Sequence, residues 1–237
     1  MNVASITEMW DRLTGTQPDP SRWLVGITAL LALGAVLVRR VWHVTRNAVT
    51  IAHEGGHGLL ALVTGRRLQG IRLHSDTSGL TVSKGRPHGP GMVLTAAAGY
   101  TAPPLLGLAG AGLLAAGHIT ALLWGATALL LVMLVMIRNA YGALTVIITG
   151  ALFFLVSWLT KAQVQAAFAY LVVWFLLLGG SRPVAELQRT RRRDRSGSSD
   201  ADQLARLTHT PVALWLLLFY AVALCSLVAG GRWLLQR

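Results

Sequence analysis

The chain has 237 residues, of which 54% are hydrophobic and only 13% charged. Soluble domains carry about 25% charged residues, so composition excludes the ordinary globular classes and points to a membrane. The formal net charge of +12 comes from arginines and lysines in connecting stretches, which is a topology signal first. Nucleic acid is not an expected partner.

Residues 1–21 form a polar segment with Glu8, Asp11 and Asp19 against Arg12. It lacks the basic head and small-residue cleavage site of a secretory signal peptide, so the first helix is expected to stay attached. Residues 22–237 then read as a single transmembrane domain. Seven apolar runs follow, at 23–38, 41–63, 92–117, 119–137, 140–159, 164–180 and 211–235. Most approach the roughly 20 residues a helix needs to cross the hydrocarbon core. Backbone groups must pair internally in lipid, and unbroken runs suit helices rather than barrel strands. The expected fold class is an all-α polytopic membrane protein with about six or seven transmembrane helices, embedded in the lipid bilayer.

Between the second and third runs, within a loop at 66–86, IRLHSDTSGLTVS (71–83) has two short β-branched stretches around Asp76 and Gly79. This predicts a β-hairpin. It serves either as a plain connection or as an edge able to pair with an extended peptide. The stretch 181–210 carries Arg182, Arg189, Arg191, Arg192, Arg193, Arg195 and Arg206 and is expected as a basic flexible loop. Its polar core, 188–200, is expected to be disordered or to lie along anionic headgroups.

The positive-inside rule puts the hairpin loop and the basic loop in the cytoplasm. Threading the runs places Gly117 and His118 outside, Arg138 inside, Lys161 outside, the N-terminus inside and the C-terminus outside. Arg39, Arg40 and Arg46 then fall on the outer side, so the second run is expected to enter only partway, or these arginines to snorkel. The single cysteine, Cys225, excludes a disulfide framework and a cysteine-rich metal cluster.

The second run contains AHEGGHGLL, in which His53, Glu54 and His57 form HExxH. Residues four apart share a helix face, so both imidazoles can reach one metal while Glu54 reaches a water beside it. Zn2+ with a neighbouring carboxylate is what peptide hydrolysis needs. Glu54 is also the only acidic residue inside any of the seven runs. A carboxylate there costs at least about 2.5 to 3.5 kcal/mol on insertion scales, which makes it functional by default. The competing reading is a polar cluster that holds helices together. Gly55, Gly56 and Gly58 allow close approach of a helix or of a substrate backbone.

A zinc site needs a third protein ligand. The residue pattern leaves it open among Asn139 at the membrane edge, Asp200 and Asp202 before the last helix, Asp76 in the hairpin, and His74, His88 and His209 in loops.

With AHEGGHGLLALVTGRR, SGLTVSKG, AAAGYTAPPLLG, RNAYGAL and SDADQLARLT in place, the chain from about Asn47 to Leu227 resembles the site-2 protease family of intramembrane zinc metallopeptidases, in particular its compact bacterial peptidase-like branch. The resemblance implies zinc on His53 and His57, Glu54 as general base, a hairpin that presents an edge to an unwound substrate helix, and a multi-pass protein of the bacterial plasma membrane. Where better-known members have a glycine and asparagine element, this chain has Gly99, Tyr100 and Pro103. Where they have Asp followed by Gly, it has Arg138, Asn139 and Gly142.

The leading expectation is an intramembrane zinc endopeptidase acting on a membrane protein substrate. The alternatives are a non-catalytic scaffold of the same fold that binds a partner helix, and a cation or proton pathway through His53, Glu54 and His57. Substrate, cleavage site and oligomeric state are not written in the residues.

Overall fold

A computed structural model describes residues 14–193, 197 and 199–236. The first 13 residues of the polar N-terminal segment, and 194–196 and 198 of the basic stretch, lie outside the described residues. The elements, in order, are α1 (Arg22–Leu37), α2 (Arg39–Val63), β1 (Arg67–Leu73), β2 (Gly79–Lys84), α3 (Pro90–Ala115), α4 (Ile119–Met136), α5 (Ala140–Leu159), α6 (Ala162–Gly179), α7 (Ser181–Arg193), α8 (Asp200–Thr208) and α9 (Val212–Leu235). All seven apolar runs are helical, and the hairpin forms where it was expected. The protein is an all-α polytopic membrane protein with one small two-stranded sheet.

Five spans are long and apolar enough to cross a bilayer, and α1 with α2 makes a sixth, bent by 101° at Val38. Val38 is extended (φ −73°, ψ 112°), which ends α1 after only 16 residues. The bend turns α2 across the bundle rather than through it. A pair bent this sharply is a broken span or a re-entrant segment, and either form accommodates the arginines of the second run without a straight crossing.

The bend also corrects the expected placement of the N-terminal end. Gln17, just ahead of α1, donates its amide to the Gly117 carbonyl at 2.8 Å, and its side chain accepts from Thr120 N at 3.2 Å. The start of α1 therefore lies at the end of the bundle that holds the α3–α4 turn, opposite the hairpin. Trp233, near the end of α9, lies against Gly112 close to that same end. Arg46 of α2 instead pairs with Glu186 of α7 at 3.4 Å, at the hairpin end. With six spans, both ends of the described chain share one side.

The inner helix is α6, whose Tyr170, Val173 and Leu177 are almost wholly buried. Small residues let its neighbours close in: Gly107 of α3 and Gly230 of α9 both lie where an added Cβ would come within 3.0 Å of Leu177, the small-residue packing that membrane helices favour. By contrast, α4 exposes Leu129, Leu131, Val132 and Val135, and α5 exposes Leu144, Ile147 and Ile148. Such walls suit lipid, since in water they would be an aggregation liability.

Part of the expected flexible basic loop is helix. Ser181–Arg193 continues α6 as α7, and Asp200–Thr208 forms α8. The basic run escaped recognition because its apolar members are few: Val184 of α7 packs against Ala201 and Leu204 of α8, Phe219 of α9 and Ala96 of α3. This small cluster fixes α8 over the first half of α3.

Candidate metal centre

The HExxH face of α2 packs against α3. An added Cβ at Gly56 would lie 2.4 Å from Ala102 Cβ and 2.8 Å from the Ala98 carbonyl oxygen, so α3 approaches to backbone distance. At Gly99 an added Cβ would lie 2.4 Å from His57 Nε2 and 2.6 Å from His53 Nε2. The missing side chain of Gly99 is the space both imidazoles occupy. Gly55, Gly56 and Gly58 do not share one open face: Gly56 meets α3, Gly58 meets Ile71 and Leu68 of the hairpin, and Gly55 faces Met133 of α4.

The third member comes from α8. Ser199 caps this helix, with its hydroxyl and the Asp202 carboxylate making a reciprocal capping box. Arg191 of α7 pairs with Asp202, and Ala201 and Leu204 are fully buried. Asp200, in the first turn between these anchors, is thereby aimed at the histidines. Its Oδ2 lies 3.2 Å from His53 Nε2 and 3.2 Å from His57 Nε2, and the two Nε2 atoms are themselves 3.2 Å apart. The three atoms form an equilateral triangle.

That triangle fits zinc. Tetrahedral ligands at about 2.0–2.1 Å from an ion stand about 3.3–3.4 Å from one another. The protonation logic agrees. His57 Nδ1 lies 2.7 Å from the Thr95 carbonyl oxygen, which can only accept, so Nδ1 carries the hydrogen and a neutral His57 presents a bare Nε2 lone pair. That lone pair faces a carboxylate oxygen and a second imidazole nitrogen, and a shared cation satisfies all three. His53 is further fixed edge-on to Tyr100, ring centroids 4.8 Å apart, and Tyr100 stacks on Phe219.

Glu54 is buried beside the hairpin. The Thr81 hydroxyl donates to its Oε2 at 2.6 Å, and an added Cβ at Gly79 would lie 2.5 Å from its Oε1. The side chains of His53 and Asp200 keep 19% and 24% exposure, so the centre is not fully closed.

The other ligand candidates are elsewhere. Asn139 accepts from Leu73 N at 3.2 Å and donates to Leu73 O at 2.6 Å, bracing β1 as a third strand would. Asp202 caps α8 and binds Arg191. Asp76 accepts from Ser78 N and Oγ within the hairpin turn, and His74 reaches Ser78 Oγ. His88 is exposed, and His209 is the left-handed cap that ends α8. Thr81, Gly79 and Thr95 carried no signal in the sequence, because a hydroxyl in a hairpin and a carbonyl in an apolar helix gain meaning only from what folds against them.

A family model described as Peptidase M50B-like matches residues 26–230. No curated protein and no solved structure matches the chain.

Proposed function

This chain belongs to the Peptidase M50B-like family, and from that membership we propose that it is an intramembrane zinc metallopeptidase that cuts membrane-embedded or membrane-proximal segments of other membrane proteins. The observation that carries the reading is the convergence of His53 Nε2, His57 Nε2 and Asp200 Oδ2 at 3.2 Å from one another, beside a buried glutamate.

His53, His57 and Asp200 are the residues that would hold the metal, with the Thr95 carbonyl orienting His57 and Tyr100 orienting His53. When bound, zinc supplies Lewis acidity and makes water nucleophilic near neutral pH. Glu54 takes the proton of the attacking water and passes it to the leaving amine. Thr81 occupies Oε2, which leaves Oε1 to carry that proton.

The hairpin supports a way of presenting substrate. Leu73 turns its N–H and C=O to Asn139, and Arg138 N donates to Ile71 O, so the outer edge of β1 is already covered. Alternation in an antiparallel pair makes Arg72 and Leu80 a bonded pair and turns the backbone groups of their neighbours outward. On β2 the outward groups are those of Gly79 and Thr81, the two residues that touch Glu54. A substrate strand added there runs past the general base.

Glu54→Gln keeps size and leaves both imidazoles, so it separates chemistry from assembly. Zinc content should persist while processing of co-expressed membrane proteins falls by at least about 100-fold. Processing at wild-type rate by Glu54→Gln, or by neither protein, would overturn the catalytic reading and favour a scaffold.

A further inference from the structure

The two faces of the hairpin differ. Ile71, Leu73, Thr81 and Gly79 face α2 and Glu54. Their strand neighbours point away: Arg72 stands opposite Leu80, and Gly70 opposite Val82. Leu80 and Val82 are 50% and 39% exposed, beside exposed Arg72 and Lys84. Gln69, Gly70, Arg72, Leu80, Val82 and Arg138 line a groove of about 290 Å³, just below the roughly 300–1,000 Å³ typical of small-molecule pockets.

Arg138 shapes one wall. An added Cβ at Gly70 would lie 2.3 Å from its Cγ, so the arginine stem lies flat on the strand. Its Nη1 donates to the carbonyls of Val135 and Ile137, closing the end of α4, which leaves Nε and Nη2 for another acceptor. Among the described residues neither Arg72 nor Arg138 pairs with a carboxylate, and no acidic side chain lines the groove. The groove therefore offers two guanidinium groups above an apolar floor. Val135, whose carbonyl accepts from Arg138, and Val132 one turn back on α4 are both more than 60% exposed, on the apolar wall that suits acyl chains.

We infer that this groove binds the headgroup of an anionic phospholipid, with the phosphate on Arg72 and Arg138, the glycerol over Leu80 and Val82, and an acyl chain along Val132 and Val135. The site seats the hairpin at the headgroup layer from the face opposite Glu54. An acidic protein segment would satisfy the arginines but would leave the apolar wall of α4 unmatched.

The test uses the full chain in detergent micelles with equal phosphatidylglycerol and phosphatidylcholine, and native mass spectrometry to count retained lipid. Wild type should retain phosphatidylglycerol over phosphatidylcholine by about tenfold or more, as two interfacial arginines allow. Arg72→Gln, which touches no helix end, should lose most of that preference, and Arg72→Gln/Arg138→Gln should abolish it. Arg39→Gln/Arg40→Gln, at the same end of the bundle, should keep it. Neither inorganic phosphate nor an acidic peptide at matched concentration should displace the lipid. Equal retention of the two lipids by wild type, an unchanged ratio in both groove variants, or displacement by either competitor would overturn the site.

Discussion

The Thr81 hydroxyl lies 2.6 Å from Oε2 of Glu54, so the hairpin reaches the carboxylate of the HExxH helix directly. Hydrogen bonds to charged groups contribute about 1.5–3 kcal/mol. If Glu54 is the general base, Thr81→Val, which keeps the shape and removes the donor, should lower kcat by about 10- to 100-fold. Zinc content should not change. Thr81→Ser should restore most of the rate, and failure of that rescue would show that packing of the β-branched methyl, not the hydroxyl, is what matters.

Two glycine substitutions should separate metal from base. In Gly99→Ala the new methyl would lie 2.4 Å from His57 Nε2 and 2.6 Å from His53 Nε2, displacing both nitrogens at once. Zinc affinity should fall by at least about tenfold, as when the surroundings of metal ligands are disturbed. Gly79→Ala instead places its methyl 2.5 Å from Glu54 Cγ and Oε1. That variant should keep its zinc and lose proteolysis. Metal analysis beside a cleavage assay reads both, and loss of zinc from Gly79→Ala would mean that the hairpin supports the metal centre itself.

Asp200 and Asn139 make contrasting substitutions. Asp200→Asn removes the carboxylate that, among the described residues, joins the two imidazoles in one metal-sized group, so zinc should be lost at chelator concentrations that leave wild type loaded. Asn139→Ala removes two hydrogen bonds to Leu73, each contributing about 1 kcal/mol net. It should lower Tm by a few degrees with zinc retained. Retention by Asp200→Asn together with loss by Asn139→Ala would reverse the assignment.

The sequence shows the helices, the hairpin and the HExxH pair because each is a local pattern: apolar runs, β-branched stretches around a turn, and two histidines one turn apart. Asp200 was visible only as one candidate among seven, since its proximity to His53 comes from tertiary packing. Ser199 and Asp202 cap α8, Arg191 ties it to α7, and Ala201 and Leu204 bury it on Val184 and Phe219. The spacing of 142 or more residues between ligands carries no trace of this. Asn139 looked like a ligand for the opposite reason: a polar residue at a membrane edge invites a functional reading, and its pairing with Leu73 across 66 residues is invisible until β1 is placed. The bend at Val38 was hidden because nothing marks it. Residues 35–48 contain neither proline nor glycine, and only the misplaced charges of Arg39, Arg40 and Arg46 hinted that the second run does not cross straight through.

That bend makes the sharpest topological prediction. Straight threading of the first two runs puts Arg40 on the side opposite Ser78. The 101° turn at Val38, with Arg46 held by Glu186 of α7, puts them on the same side. Gln17 is bonded to Gly117, which puts Pro18 with Lys161 at the other end. In a Cys225→Ser background, which removes the single native thiol, Arg40→Cys and Ser78→Cys should both resist a membrane-impermeant maleimide in intact cells and react after lysis, as the positive-inside rule predicts for the arginine-rich end. Pro18→Cys and Lys161→Cys should react in intact cells. Reaction of Arg40→Cys from outside, with Ser78→Cys protected, would mean that α2 crosses the bilayer. The partial entry of the second run would then be wrong, whatever holds for the metal centre.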